Sequence, residues 1–389
     1  MTRMIFLLSL LAAFPPLSTD MYLPAIPQLI EQWNQPLMMV NLTLICFFLT
    51  YCLFMLVYGP VSDRFGRRRP LMVGIGIYVI ASFMCTLAGD VFTLIAARVF
   101  QASGAASASA LSLAMCKDLF ETKTRERIMA YMAVIGALAP MLAPVIGGWM
   151  IHFFSWRWVF VVQAVMGAIA WVGVFRMAEP LQQLERISIG QVALVYVRLL
   201  RNRRYMGLMV AMSILILPFF GFLASSSEIY MSHFGMDERQ FGYFFGFNAL
   251  ALMFGPFAFS ILTRSYPSRN LITISFVGMV LASIALIVLP HHSPWSLAVP
   301  MWVLSFFFGL NRPPSNNLIL EQVEHDVGAA SALVIFAFMT IGAAGMGIIS
   351  LAWQDKILVL GVMGTIVGTI TLTFWLIFRS RLMPALGKY

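Results

Sequence analysis

Charged residues are scarce in this sequence. Asp, Glu, Lys and Arg together make up 11% of the 389 residues, whereas about 25% is typical of soluble domains. Hydrophobic residues make up 60%, which is more apolar side chain than a soluble protein of this length can bury, and the mean hydropathy is +0.87. The composition therefore excludes a soluble protein and predicts one whose solvent is a membrane.

Residues for metal, disulfide or nucleophilic chemistry are also few. The four cysteines lie in apolar runs, without metal-ligand spacing or a disulfide framework. The five histidines lie at predicted loops or at the ends of apolar runs. The sequence shows no Ser/His/Asp arrangement, no metal cluster and no Walker-type phosphate loop. We therefore expect neither an enzyme nor a sensor, no cofactor, no metal and no direct use of ATP by this chain.

Long apolar runs separated by polar residues are what the sequence has instead. A helix needs roughly 20 apolar residues to cross about 30 Å of hydrocarbon. The apolar N-terminus continues as far as Ile30 without a convincing small-x-small cleavage site, so we interpret it as a first span rather than a signal peptide. The runs predict twelve transmembrane helices, over 4–29, 38–60, 70–88, 92–116, 128–151, 157–178, 205–231, 240–262, 270–290, 296–322, 328–352 and 357–379.

One long polar stretch, 179–204, interrupts this series between the sixth and seventh spans. It predicts an N-terminal six-helix half over 1–178, a cytoplasmic linker over 179–204 and a C-terminal six-helix half over 205–389. Repeated halves are typical of secondary transporters, which bind substrate near the membrane midplane. The predicted fold class is therefore an all-α membrane protein with twelve transmembrane helices in two halves.

The basic residues predict the orientation of the spans. Of the 25 Lys and Arg residues, 20 lie in loops on one side, Arg157, Arg239 and Lys356 lie in loops on the other side, and Arg98 and Arg312 lie inside spans. Because positive loops stay in the cytoplasm, we expect a multi-pass protein of the bacterial cytoplasmic (inner) membrane with both termini inside. The net charge of +9 then reflects cytoplasmic loops near anionic headgroups and does not indicate nucleic-acid binding.

Ionisable residues inside spans are costly, so each is a functional hypothesis. Asp20 lies in the first span between Pro16 and Pro24, and both prolines are expected to bend the helix and free backbone carbonyls. Burial disfavours a charged carboxylate and a nearby cation favours it, as a proton-coupling group requires. The alternative is a solvated, structural Asp at the outer end of the helix.

Arg98 in the fourth span shares a helix face with Gln101, three residues later. From a rise of about 1.5 Å per residue, Asp20 lies about 5 Å and Arg98 about 9 Å outside the middle of their spans. An ion pair is therefore geometrically allowed, and we assign both residues to proton coupling. The alternative is an Arg that binds neighbouring backbone and only stiffens this half.

Glu228 in the seventh span and Arg312 in the tenth look like a counterpart in the second half. Their depths differ by about 20 Å, which argues against a direct pair. Glu228 is then either a cavity residue or a cap at the outer end of its helix. Arg312 lies deeper, and Asn316 extends its polar face, so we predict a cavity-lining Arg that attracts an anionic group.

The loop after the second span reads YGPVSDRFGRRRP. Its glycines permit a sharp turn, its Arg residues meet the inner headgroups, and Asp63 can pair with an Arg or with a helix N-terminus. The motif residues are Gly59, Asp63, Arg64, Gly66 and Arg67.

The fifth span contains GALAPMLAPVIGGW. Its prolines should kink the helix and its glycines should permit close contact with a neighbour, so we predict a packing or gating element. The residues concerned are Gly136, Pro140, Pro144, Gly147 and Gly148.

Together these segments resemble the major facilitator superfamily. The resemblance lies in its loop signature over Gly59 to Pro70, its span-four proton-relay motif over Arg98 to Ala106 and its antiporter-associated span-five motif over Ala137 to Trp149. Three further segments resemble the bicyclomycin/chloramphenicol resistance (Bcr/CflA) branch of drug:proton antiporters, namely Ser18 to Pro27, Ser155 to Phe160 and Phe241 to Asn248.

The resemblance implies the major facilitator fold and alternating access, with spans 1, 4, 7 and 10 lining the cavity. It also implies that Asp20 is the proton-linked acid and that Asp63 with Arg67 forms part of a cytoplasmic latch. The candidate residues of the substrate cavity are Tyr22, Asn41, Gln101, Glu228, Arg312 and Asn316.

The leading functional prediction is a proton-coupled exporter, an antiporter of small, partly hydrophobic compounds in multidrug-type efflux. Glu228 and Arg312 depart from the resemblance, because small or apolar residues are expected there in that branch. A fixed Arg favours the alternative, a dedicated exporter of a polar or anionic metabolite such as a siderophore or metallophore. An ion channel would not explain the antiporter-like fifth span. The expected partners are a small-molecule substrate, protons and the lipid bilayer, and the chain is expected to be a monomer.

Overall fold

The structure is a computed structural model that describes residues 2–181 and 189–382. Within these ranges every regular element is a helix. In the first half of the chain these are α1 (Thr2–Asp20), a 3-10 turn (Leu23–Ala25), α2 (Ile26–Trp33), α3 (Leu37–Phe65), α4 (Arg68–Leu87), α5 (Val91–Leu119), α6 (Thr122–Phe153), α7 (Arg157–Phe175) and α8 (Ile189–Arg201).

The second half begins with a segmented helix and continues with five long ones. The elements are α9 (Arg203–Ser213), a 3-10 turn (Ile214–Ile216), α10 (Leu217–Ser227), a π-helical turn (Glu228–His233), α11 (Glu238–Leu262), α12 (Ser268–Val288), α13 (Trp295–Leu320), α14 (Val327–Ile349) and α15 (Lys356–Leu382).

All twelve predicted spans correspond to helical stretches in the structure. Eleven stretches of the described chain are long and apolar enough to cross a membrane. The tenth predicted span is α13, a helix of 26 residues whose polar segment around Arg312 lowers its mean hydropathy. The prediction of an all-α membrane protein is confirmed.

Some predicted spans were too short, because the helix continues into polar residues beyond the apolar run. Helix α3 runs through Pro60 to Phe65, and α6 begins at Thr122, because backbone hydrogen bonds continue after the apolar run has ended. The predicted linker 179–204 contains an element that the sequence analysis missed, the amphipathic helix α8. Residues 182–188 of the linker lie outside the described residues.

Two compact units divide the chain. The first comprises residues up to Val197 together with Asp237–Gly242, and the second comprises Arg198–Met236 together with the chain from Tyr243 onward. The predicted domain boundaries at 178 and 205 stay a prediction, and each unit is described by itself.

Helix α5 is central to the first unit, where it packs on α1, α3 and α4. A side chain at Gly104 would lie 2.5 Å from the Gly74 carbonyl and 2.6 Å from the Tyr78 amide nitrogen, so glycine lets α4 and α5 approach closely. Asp90 caps the start of α5 by accepting hydrogen bonds from the amides of Phe92 and Thr93.

In the second unit α12 packs on both α13 and α15, and α10 packs on α14. A side chain at Gly255 of α11 would lie 2.5 Å from the Leu310 amide nitrogen and the Phe306 carbonyl of α13. Small residues at such crossings allow two membrane helices to make backbone contact.

Candidate functional site

Asp20 is the last residue of α1, where the first span breaks. Pro16 lies inside α1 and Pro24 inside the following 3-10 turn. The Asp20 side chain is buried, with 7% of the residue exposed, and accepts a 2.8 Å hydrogen bond from Thr19 Oγ1. Within the described chain it forms no ion pair at 4.0 Å or less. The break therefore places a carboxyl group inside the first unit without a fixed counter-ion.

Helix α6 passes directly against this break. A side chain at Gly147 would collide with the backbone carbonyl of Met21, the residue after Asp20, and a side chain at Gly148 with the carbonyl of Glu238. Pro144 is buried nearby, within an unbroken helix. The expected close contact at Gly136 is not seen among the described residues, because no atom apart from the backbone of its own helix lies within 4 Å of the position that a Cβ would take there.

Arg98 of α5 is fully buried, yet its partners differ from the ion pair that helix depth allowed. Its Nη1 donates to the Ser18 carbonyl at 2.9 Å and to Gln101 Oε1 at 2.6 Å. Within the described chain its Nε and Nη2 have no hydrogen-bond acceptor, and no carboxylate forms an ion pair with it. Its guanidinium instead lies 4.2 Å from the Phe47 ring centroid, with Tyr22 at 5.2 Å, a cation–π arrangement that partly offsets the cost of burial.

Gln101 extends the contacts of Arg98 to two further helices. Its Nε2 donates to Ser82 Oγ of α4 and to Gln163 Oε1 of α7, each at 2.8 Å. Gln163 Nε2 in turn donates to the Leu17 carbonyl at 3.1 Å. Gln163 and Ser82 were not among the sequence candidates, although a glutamine in the apolar run FVVQAVMG is the signal that could have identified Gln163.

Tyr78 closes this network on the side of α1. Its hydroxyl lies 2.7 Å from Ser18 Oγ, and its ring stacks on Phe14 with centroids 4.8 Å apart. We call Ser18, Tyr78, Ser82, Arg98, Gln101 and Gln163 the buried polar network. It joins α1, α4, α5 and α7 beside the α1 break.

The two remaining cavity candidates of this half also lie in its interior. The Tyr22 hydroxyl is 3.1 Å from Thr43 Oγ1 of α3, and its ring lies 5.6 Å from the Phe160 centroid. Asn41 is fully buried in α3. In the structure both are therefore packed side chains.

The loop motif places Arg67 at the centre of a charged cluster. Arg67 Nη1 donates to Asp63 Oδ1 at 2.5 Å and to Ser62 Oγ at 2.6 Å, and Nε donates to Asp118 Oδ2 at 2.8 Å. Burial alone would lower the pKa of Arg67, but its contacts with Asp118 and Asp63 raise it, so the guanidinium stays charged. Asp118, at the end of α5, was not among the sequence candidates.

Gly66 supplies the turn that this cluster needs. Its φ is +85°, and a side chain there would lie 2.6 Å from the carboxylate of Glu179. That carboxylate accepts the backbone amides of Arg67 at 2.7 Å and Arg68 at 3.1 Å. Glu179, which follows α7, was also missed, because no local pattern links it to a loop more than a hundred residues earlier.

Gly59 has open space around it, and Arg64 is exposed over the Phe65 ring.

Glu228 begins the π-helical turn of the second unit and pairs with Lys356. Lys356 Nζ lies 2.6 Å from both carboxylate oxygens, at the start of α15. The pair lines a cavity of about 320 Å³ with His233 and Asp355. Within the described chain Glu228 and Arg312 form no ion pair, as their difference in depth predicted.

Arg312 of α13 lies on an aromatic surface. Its guanidinium is 3.7 Å from the Phe338 centroid and 5.9 Å from that of Phe308. The part of the chain that the structure describes offers it no carboxylate at ion-pair distance. Asn316 is half-buried one turn later. Among the described residues, the contacts that the structure gives the Arg312 guanidinium are with these aromatic rings.

Curated relatives match most of the chain. An uncharacterised MFS-type transporter, YdgK of Bacillus subtilis, is 29% identical over 345 residues, covering 87% of this chain and 86% of the relative. A bicyclomycin resistance protein homolog of Haemophilus influenzae is 27% identical with the same coverage. The multidrug transporter MdfA of Yersinia pestis is 26% identical, covering 87% of this chain and 85% of the relative.

Solved structures share the fold at low sequence identity. A D-xylose–proton symporter superposes with a TM-score of 0.76 and 13% identity, covering 95% of this chain and 97% of that one. The nucleoside transporter NupG superposes with a TM-score of 0.73 and 11% identity, covering 97% and 99%. The model of the Major Facilitator Superfamily matches residues 8–346. The expectation that the chain is not an enzyme is confirmed, and it belongs to the Major Facilitator Superfamily of membrane transporters.

Proposed function

We propose that this chain is a proton-coupled antiporter of the bacterial inner membrane that exports small, partly hydrophobic compounds by alternating access. The observation that carries the proposal is Asp20, a buried carboxyl group at the break in α1 whose hydrogen-bond donor is Thr19 rather than a cation. Relatives named for bicyclomycin resistance and multidrug transport support the substrate class.

In this mechanism Asp20 takes up and releases the coupling proton. A carboxyl group without a fixed counter-ion changes its protonation at a lower cost than an ion-paired one. Arg98 lies in the same unit, bound to the Ser18 carbonyl. Asp63 and Arg67 act at the cytoplasmic end as a latch.

The test is substrate-induced proton movement in proteoliposomes, with bicyclomycin and the lipophilic cation ethidium as probes. We expect Asp20→Asn to abolish the proton movement, because the amide retains the hydrogen bond from Thr19 but carries no titratable proton. Asp90→Asn is the matched control, since Asn caps a helix as well as Asp does. Unaltered proton-coupled flux in Asp20→Asn would remove Asp20 from the mechanism.

Arg312 favours a second candidate function, the dedicated export of an anionic metabolite such as a siderophore or metallophore. A guanidinium that faces aromatic rings and has no carboxylate partner in the described chain suits a substrate that carries both a carboxylate and an apolar group. A general drug exporter has no evident need for this fixed charge.

Two measurements separate the candidates. Arg312→Gln should weaken transport of an anionic substrate by about tenfold or more, since a hydrogen bond to a charged group contributes about 1.5–3 kcal/mol, while Arg312→Lys retains part of it. A deletion strain should accumulate one anionic metabolite, which metabolomics would identify. Unchanged transport of every anionic candidate by Arg312→Gln, with a broad loss of drug tolerance in the deletion strain, favours multidrug efflux.

A further inference from the structure

Two consecutive residues at the start of α15 contact two different parts of the second unit. Lys356 binds Glu228 of the π-helical turn through both carboxylate oxygens. Asp355 binds His291 in the loop after α12, with 3.0 Å between Asp355 Oδ2 and His291 Nδ1. His291 and Asp355 lie outside the membrane-spanning helices, on the side that the loop charges predict to be periplasmic.

His291 faces a hydrogen-bond acceptor at each ring nitrogen. Its Nδ1 points at the Asp355 carboxylate, and its Nε2 lies 2.9 Å from the Leu286 carbonyl oxygen. A neutral imidazole carries one N–H and can donate to only one of them, whereas the imidazolium carries two. Only the protonated ring therefore satisfies both contacts.

We infer that His291 is a proton-binding site, separate from Asp20, and that its protonated form clamps the start of α15 against the end of α12. Asp355 carries this clamp into α15, because its other carboxylate oxygen accepts the amide of Leu358 at 2.9 Å and caps the helix. Loss of the proton breaks one of the two ring contacts and frees the segment.

The clamp forms one wall of a charged cavity. Asp355, Lys356, Glu228 and His233 all line the 320 Å³ space, and His292 is exposed beside His291. Besides His291, these are the titratable groups among the described residues that line this cavity or adjoin His291 in the sequence. Because Asp355 lines the cavity and holds His291, the proton on His291 controls how firmly that wall is held.

Hydrogen–deuterium exchange tests the site without requiring transport, so it can fail independently of the proposed function. The full-length protein in nanodiscs is labelled at about pH 5.5 and about pH 8, on either side of the ordinary titration range of histidine, with labelling times scaled for intrinsic exchange. We expect amides in 351–360 to exchange about two- to fivefold more slowly at the lower pH, the range for a partly exposed ion pair.

Three variants define the result. His291→Gln and Asp355→Asn should both remove the pH difference and leave fast exchange, and Asp355→Asn keeps the helix cap. The matched control is His292→Gln, a change at the exposed neighbour of His291, and it should behave like the wild type. Equal exchange of the wild type at both pH values would overturn the inference. So would a pH difference that survives in Asp355→Asn, or one that is lost in His292→Gln.

Discussion

At the scale of single residues, Arg98 and Asp20 lie in the first unit without forming an ion pair. Arg98 donates to the backbone carbonyl of Ser18, two residues before Asp20, whereas the Asp20 carboxylate accepts its hydrogen bond from Thr19. A direct pair would fix both charges and oppose protonation of the acid. In the proposed mechanism, the absence of an ion pair in the described chain leaves Asp20 able to bind the coupling proton.

Gly66 and Gly59 give a matched pair for the loop motif. Gly66→Ala should destabilise the protein by about 1–2 kcal/mol, because alanine is strained in the left-handed backbone conformation of this residue. The total loss should be larger, because the methyl group would also displace Glu179. Gly59→Ala should have little effect, because open space surrounds it. Thermal unfolding can be followed with a thiol-reactive dye that reports exposure of the buried Cys52, Cys85 and Cys116.

Equal melting temperatures for the two alanine variants would mean that the turn at Gly66 tolerates a side chain. In that case the contact between Glu179 and the amides of Arg67 and Arg68 would not contribute to stability.

At the scale of elements, α6 acts as a close support for the break in α1. Its Pro140 and Pro144 are accommodated within an unbroken helix, and its Gly147 lies closely against the backbone of Met21. The span-five motif therefore determines where Asp20 can lie, although none of its own residues is ionisable.

Gly147→Ala should reduce transport strongly and lower stability by about 1–3 kcal/mol, the usual cost of overpacking. The methyl group has no room beside the Met21 carbonyl and must push α6 away from α1. Gly136→Ala, on the same helix but with open space, is the control and should leave both properties near wild type. Drug efflux in cells and the thiol-dye melting curve measure the two effects. A normally active Gly147→Ala protein would show that the contact is not needed.

At the scale of the whole molecule, the predicted orientation places the loops alternately on the two sides of the membrane. Ser265 lies in the exposed loop between α11 and α12, and Ser293 in the exposed loop between α12 and α13. Because α12 crosses the membrane once, these two serines must lie on opposite sides.

Matched Ser→Cys substitutions test this orientation in a variant whose four native cysteines are replaced by alanine. A membrane-impermeant maleimide should label Ser293→Cys in intact cells and Ser265→Cys only after the membrane is permeabilised. The reverse pattern would place the termini outside and contradict the positive-inside assignment.

The sequence by itself determined what depends on local composition. Hydropathy located the twelve spans because apolar length along the chain is what a bilayer selects. From the sequence, Asp63 could pair with an Arg or with a helix N-terminus, and the resemblance to the major facilitator superfamily implied that Asp63 and Arg67 belong to one latch. The depth of each residue in the membrane followed from the rise per residue of its helix, and it correctly predicted that Glu228 and Arg312 do not form an ion pair.

Tertiary structure alone decided which side chains meet across helices. The rotation and lateral neighbours of each helix depend on packing of the whole unit, so no local pattern pointed to Gln163 as the partner of Gln101, or to Glu179 as the acceptor of the Arg67 amide. The loop assignment placed Lys356 on the outer side, near which Glu228 lies by depth, yet their contact required α10 and α15 to be neighbours. Span positions are a property of the chain, whereas the charge contacts are a property of the packed helices.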